Sequence, residues 1–84
     1  MDTKVLVPTS ELIKLAGQRV NLPGQNLIYA RYDDEVDSLF LKYSTNRAVI
    51  SESEDDKGVI YDYDKDNNLV GIEILDLYGI YTIA

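Results

Sequence analysis

The sequence contains no cysteine and no histidine, and only two prolines and five glycines among 84 residues. Each absence removes something. Without cysteine, neither a disulfide nor a thiolate zinc site can staple the fold. Without histidine or cysteine, the commonest general base and the best nucleophile are missing. Ser10, Ser38, Ser44, Ser51 and Ser53 stand in no motif that would activate a hydroxyl. No apolar run approaches the roughly 18 residues that a membrane-spanning helix requires, and no basic-then-apolar leader opens the chain. The expectation is a soluble cytoplasmic protein that is not an enzyme and carries no catalytic, cofactor-binding or metal-binding residues.

What is present is a globular composition, 45% hydrophobic and 27% charged, with seven tyrosines. Residues 1–84 read as one domain: a 1–26 N-terminal arm with a short helix, then a 27–84 β-sheet module. A domain of this size buries only about 60% of the surface its unfolded chain exposes. Further burial is therefore expected from a partner or a second copy. The net charge of −7 is unevenly spread, +2 over residues 1–32 and −9 over residues 33–84. An acidic field repels phosphate backbones, so nucleic acid and anionic membranes are disfavoured and a basic protein partner fits better.

The arm begins with Lys4-Val5-Leu6-Val7, a short strand pattern. Pro8-Thr9-Ser10-Glu11 then offers a hydroxyl N-cap and an early carboxylate. Leu12, Ile13, Leu15 and Ala16 form one apolar stripe at helical spacing, and Gly17 is placed to close the helix. About two turns of helix cannot persist alone in water and must dock. Leu22-Pro23-Gly24-Gln25 has the proline and glycine of a type II turn.

From Leu27 the periodicity becomes that of strands. Leu27 to Tyr32 and Val36 to Tyr43 flank the turn Asp33-Asp34-Glu35, with Leu39, Leu41 and Tyr43 on one face and Phe40 and Lys42 on the other. Ala48-Val49-Ile50 reads as a weak third strand, and the polar run Ser51 to Gly58 as a mobile loop. Val59 to Tyr63, the turn Asp64-Lys65-Asp66-Asn67-Asn68, and Leu69 to Leu75 make a second hairpin. A last apolar segment, Ile80 to Ile83, follows Gly79. The fold class is α+β, mainly β: an antiparallel β meander built from two hairpins with one short N-terminal helix.

Several constellations could carry chemistry. Asp62-x-Asp64-x-Asp66-x-Asn68, with Glu73 last, matches oxygen-ligand positions of an EF-hand calcium loop. However, the position that normally holds glycine is Asn67, and the flanks are β-branched, so a solvated hairpin turn is the preferred reading and calcium the alternative. Asp33, Glu35 and Asp37 suggest a carboxylate pair, yet charged tight turns are common and a short chain has little room for a cleft. Glu73, between Ile72 and Ile74 on the strand expected at the centre, reads as an outward residue, with an ion pair to Arg31 or a contact across a dimer as the sharper alternatives. The tyrosines are assigned to core and interface rather than to stacking on nucleic acid. Val59-Ile60 and Leu69-Val70 put apolar residues on both sheet faces. Phe40, Tyr43, Tyr61 and Ile80 to Ile83 are accordingly the expected contacts of a homodimer.

Tyr32-Asp33-x-Glu35-x-Asp37-x-Leu39-Phe40, Gly58-Val59-Ile60-Tyr61-Asp62-Tyr63-Asp64 and Gly71-Ile72-Glu73-Ile74-Leu75 together resemble a family of small bacterial proteins, domain of unknown function 2283, over about residues 28–77. Members of that family begin near the first strand, so the N-terminal arm is a departure. The resemblance brings no activity and no catalytic residue. It implies only that some members look like the antitoxin half of a toxin–antitoxin pair, encoded beside a small basic protein. The expected function is a non-enzymatic protein-interaction module, working as a homodimer or as the antitoxin-like partner of a basic protein; alternative: a small calcium-binding module.

Overall fold

The computed structural model describes residues 8–79. The strand expected at Lys4–Val7 and the segment Ile80–Ile83 lie outside them. One helix, α1 (Thr9–Arg19), precedes five strands: β1 (Tyr29–Asp33), β2 (Ser38–Lys42), β3 (Ile50–Glu54), β4 (Val59–Tyr63) and β5 (Leu69–Ile74).

α1 departs from expectation at both ends. The N-cap position is taken by Pro8, at φ −59° and ψ 141°, and no side chain caps the helix. Its carbonyl accepts from the N–H groups of Glu11 (3.0 Å) and Leu12 (3.2 Å). Proline presets the backbone before a first turn, and the hydroxyls of Thr9 and Ser10 fall inside the helix instead of capping it. At the other end the helix runs through Gly17 to Arg19, and Val20 turns to extended backbone. Packing overrides the glycine. Leu12 and Ala16, one turn apart, are buried, Val20 adds a third core contact, and Ile13 and Leu15 pack beside them.

The Leu22–Gln25 segment bends at Gly24 and Gln25 without forming the expected turn. It is drawn out along the sheet: Leu22 packs against the core, and the Gln25 side-chain amide donates to the Leu69 carbonyl at 3.2 Å.

All strand pairs are antiparallel, in the order β1-β2-β5-β4-β3. The α+β, mainly β expectation holds. The β1–β2 hairpin and the β3-β4-β5 unit are joined by pairing β2 with β5, which puts β5 at the centre. Alternation along each strand then separates two faces. The inner face carries Leu39, Leu41, Val59, Ile72 and Ile74, all essentially inaccessible to solvent. α1, Leu22, Leu27 and Leu77 close over this face.

The third strand lies later than its apolar residues suggest. Ala48 and Val49 are outside it, and Ile50–Glu54 pairs with β4 from Ile50↔Tyr63 to Glu54↔Val59. The polar run expected as a loop is therefore mostly strand, followed by a turn at 55–58 in which Gly58 takes φ +64°. An edge strand that buries neither face needs no apolar alternation, and serine and glutamate there keep the open edge soluble.

Candidate functional site

The acidic residues that looked most chemical prove to hold the fold together. Asp37 is fully buried, at φ +55°, a conformation that aspartate tolerates better than most residues. Its carboxylate accepts the Tyr32 hydroxyl at 2.6 Å, the Tyr78 N–H at 3.1 and 3.2 Å, and the Gly79 N–H at 2.9 Å. Its own carbonyl accepts the Leu77 N–H at 2.9 Å. One side chain thus ties the β1–β2 turn to the segment after β5. The Tyr32 and Tyr78 rings meet edge to face, centroids 5.4 Å apart, and the Tyr78 hydroxyl donates to Glu11 of α1 at 2.7 Å. Burial, then the bond to Asp37, holds the Tyr32 phenol protonated far above its ordinary range. Asp33 and Glu35 are exposed, and Asp33 accepts the Glu35 N–H at 3.0 Å. The three acids divide between a buried hub and a solvated turn and form no acid–base pair.

Asp64 plays the same part locally. It is 3% exposed, and Oδ1 accepts the N–H groups of Asp66 and Asn68, each at 2.9 Å. Oδ2 accepts from the side-chain amides of Asn46 (2.9 Å) and Asn68 (3.5 Å). These donors, the Asn68 N–H first, hold its carboxyl below the usual carboxylate range. Asn67 supplies the positive φ of the turn, +66°.

The 62–73 segment is therefore a hairpin, with a bulge at Asp62 and Tyr63. Asp62 accepts the Ser51 hydroxyl at 2.5 Å, while Glu73 lies on β5 in register with Phe40 and Ile60. The calcium-loop ligands are spread along two strands. Among the described residues no group of three or more acids is arranged to hold a metal ion. A shallow depression of about 450 Å³ beside the turn is lined by Asn46, Arg47, Val49, Asp64, Lys65 and Asp66. The Asp64 oxygens there are already occupied.

Arg19 is a residue that sequence reasoning missed. Its guanidinium donates to the carbonyls of Lys57 (3.1 Å), Leu75 (2.8 Å), Asp76 (2.7 Å) and Leu77 (3.5 Å). It joins the end of α1 to the β3–β4 turn and to the segment after β5. No local pattern announces this, because every acceptor is a backbone carbonyl at least 38 residues away.

What remains open is the outer face of the sheet. Register places two full rows on it, Arg31, Phe40, Glu73, Ile60 and Ser53 across the strands and beside them Tyr29, Lys42, Gly71, Asp62 and Ser51, with Asp33 and Ser38 in a short row at the turn end of β1 and β2. Among the described residues no helix crosses it. Phe40 lies over Gly71, where a Cβ would come within 3.0 Å of the ring. Tyr29 tilts against Phe40 with centroids 6.1 Å apart, and the Arg31 guanidinium sits 6.0 Å above the same ring. Phe40 separates Arg31 from Glu73 in the ladder, so Glu73 is the outward residue of a central strand and not Arg31's partner. Tyr43, expected at a contact, is 8% exposed and belongs to the core, because it continues the Leu39–Leu41 face. Tyr61 is half-buried on that inner face.

A family model described as "Protein of unknown function (DUF2283)" matches residues 30–77, more than half of the chain. The chain belongs to this family. The matched span holds β2 to β5, all of β1 but Tyr29, and both buried aspartates, and leaves out α1. No curated protein and no solved structure matches the chain. No helix among the described residues is long and apolar enough to cross a membrane.

Proposed function

We propose that this protein is a non-enzymatic protein-interaction module of the cytoplasm, and that it binds through the outer face of its sheet. One observation carries the reading: an aromatic and aliphatic centre, Phe40, Tyr29 and Ile60, sits on a sheet face that α1 leaves open. Apolar groups grouped on one face and rimmed by charge mark recognition surfaces more often than scattered apolar residues do. The non-enzymatic part is supported by how the acids are used. Asp37 and Asp64 spend their carboxylate oxygens on the chain's own donors, and no histidine or cysteine stands by to replace them.

Two occupants fit the module: a second copy, or a basic protein neutralised in the manner of an antitoxin, favoured by the net charge of −7. Full-length tagged chain purified from its native host tests the module reading. Wild type is expected to retain untagged copies of itself or a basic protein, and Phe40→Asp to lose them while its circular dichroism melt shows a folded sheet. Equal retention by a folded Phe40→Asp variant would place the binding surface elsewhere and overturn the proposal.

A further inference from the structure

The charges in the two middle rows of the outer face are sorted. Their cations, Arg31 and Lys42, stand on β1 and β2; their carboxylates, Glu73 and Asp62, stand on β5 and β4, and Asp33 lies one row further on, at the turn end of β1. Within these two rows the charges cancel, although the chain as a whole carries −7. Two copies of so acidic a chain repel each other over most of their surfaces. They can approach here without that penalty, and here an apolar centre is available to bury.

We propose that this face is a two-fold interface with a second copy of the chain, the two-fold axis running parallel to the strands between β2 and β5. The inference rests on the module reading above and names its partner. Such an axis exchanges the halves of the sheet. β2 of one copy lies over β5 of the other, and β1 over β4, so Arg31 and Lys42 of each copy meet the half that carries Glu73 and Asp62 in its mate. The Phe40 rings of both copies meet beside the axis with Tyr29 packed on their outer sides, and Gly71, which has no side chain, leaves room for Lys42 opposite. A two-fold axis across the strands is disfavoured by the same charges, because it lays β1 on β1 and β5 on β5 and sets like against like. Aligned packing of two twisted sheets, about 10 Å apart, accommodates the first arrangement.

Because an isologous interface contains each pair twice, it can be tested by charge exchange between copies. Sedimentation velocity on the full chain is expected to show a species of twice 9.5 kDa. Lys42→Glu and Glu73→Lys, each alone, should weaken association on the order of tenfold or more, since each makes the diagonal neighbours at 42 and 73 of the two copies alike in charge. An equimolar mixture of the two variants should recover a dimer, because Glu at 42 in one copy then lies diagonally beside Lys at 73 in the other, one row away, and the native Lys42 and Glu73 remain neighbours at the second position. This recovery also shows that both variants fold. A monomeric wild type would overturn the proposal; if that monomer still held a basic protein in a Phe40-dependent way, the module reading would survive it. A dimer indifferent to both reversals, or one weakened by both with no recovery on mixing, would equally overturn the arrangement.

Discussion

Asp37 and Asp64 are both buried aspartates that follow a tyrosine-bearing strand, and both collect backbone N–H groups, yet they organise the molecule on different scales. Asp64 takes its backbone donors from two and four residues ahead and one side-chain amide from Asn46 beside the turn, so it organises one hairpin end. Asp37 bonds donors 41 and 42 residues ahead and a tyrosine on the strand before it. The first shapes one hairpin; the second decides where the chain after β5 must lie. A buried carboxylate in an acidic protein is thus no sign of chemistry until its donors have been counted.

The sharpest way to press that difference is to remove the long-range hub. Asp37→Ala leaves the Tyr78 and Gly79 N–H groups and the Tyr32 hydroxyl without their acceptor and puts alanine at a positive φ. About 3 kcal/mol or more should be lost, measured by urea denaturation. A loss below about 1 kcal/mol would mean that water or other groups replace the carboxylate easily.

Alkali should attack the same site. Burial and carboxylate neighbours hold Tyr32 above its ordinary value near 10, Glu11 does the same for Tyr78, and burial raises Tyr43, Tyr61 and Tyr63. The unfolded chain therefore ionises first. The stability these groups contribute is complete below about pH 10 and lost as pH rises beyond it. Thermal melts across that range should show a steep fall, shallower in Tyr32→Phe; identical profiles for the two proteins would remove Tyr32 from the account. At neutral pH Tyr32→Phe should cost about 2 kcal/mol, one hydrogen bond to a buried carboxylate.

Asp64 should respond from the acid side. Its carboxyl is held low, so the stability it contributes is present above the unfolded carboxylate range and lost as pH falls through the folded value. Asp64→Ala should loosen the β4–β5 turn, seen as faster hydrogen exchange at Asp66 and Asn68, and leave the Tyr78 and Gly79 amides protected. Loss of protection at both sites would show that the hairpin and the hub are one cooperative unit.

The smallest expected effect is that of calcium. Ligand at 100 times its dissociation constant would stabilise the fold by about 2.7 kcal/mol. With Asp64 turned to its own backbone and Asp62 to Ser51, millimolar calcium should leave the melting temperature nearly unchanged. An upward shift of several degrees, absent in Asp62→Ala, would reverse this reading.

Much of this was legible in the residues. The Leu39–Leu41–Tyr43 face, the 64–68 turn and the docked helix follow from spacing, because period-two and period-3.6 burial leave apolar residues at fixed intervals. β3 was misplaced because an edge strand exposed on both faces leaves no such mark, and the helix ends because caps yield to packing. The Arg19 bridge and the role of Asp37 left no trace at all.

The division has a physical cause. Local preference and burial period are written residue by residue, and they settled the fold class and the number of faces. Which strands become neighbours depends on contacts between distant residues: pairing β2 with β5 centred the sheet on Gly71, Ile72 and Glu73. That same pairing brought Arg31, Lys42, Glu73 and Asp62 onto one open face, and only the tertiary structure could put them there.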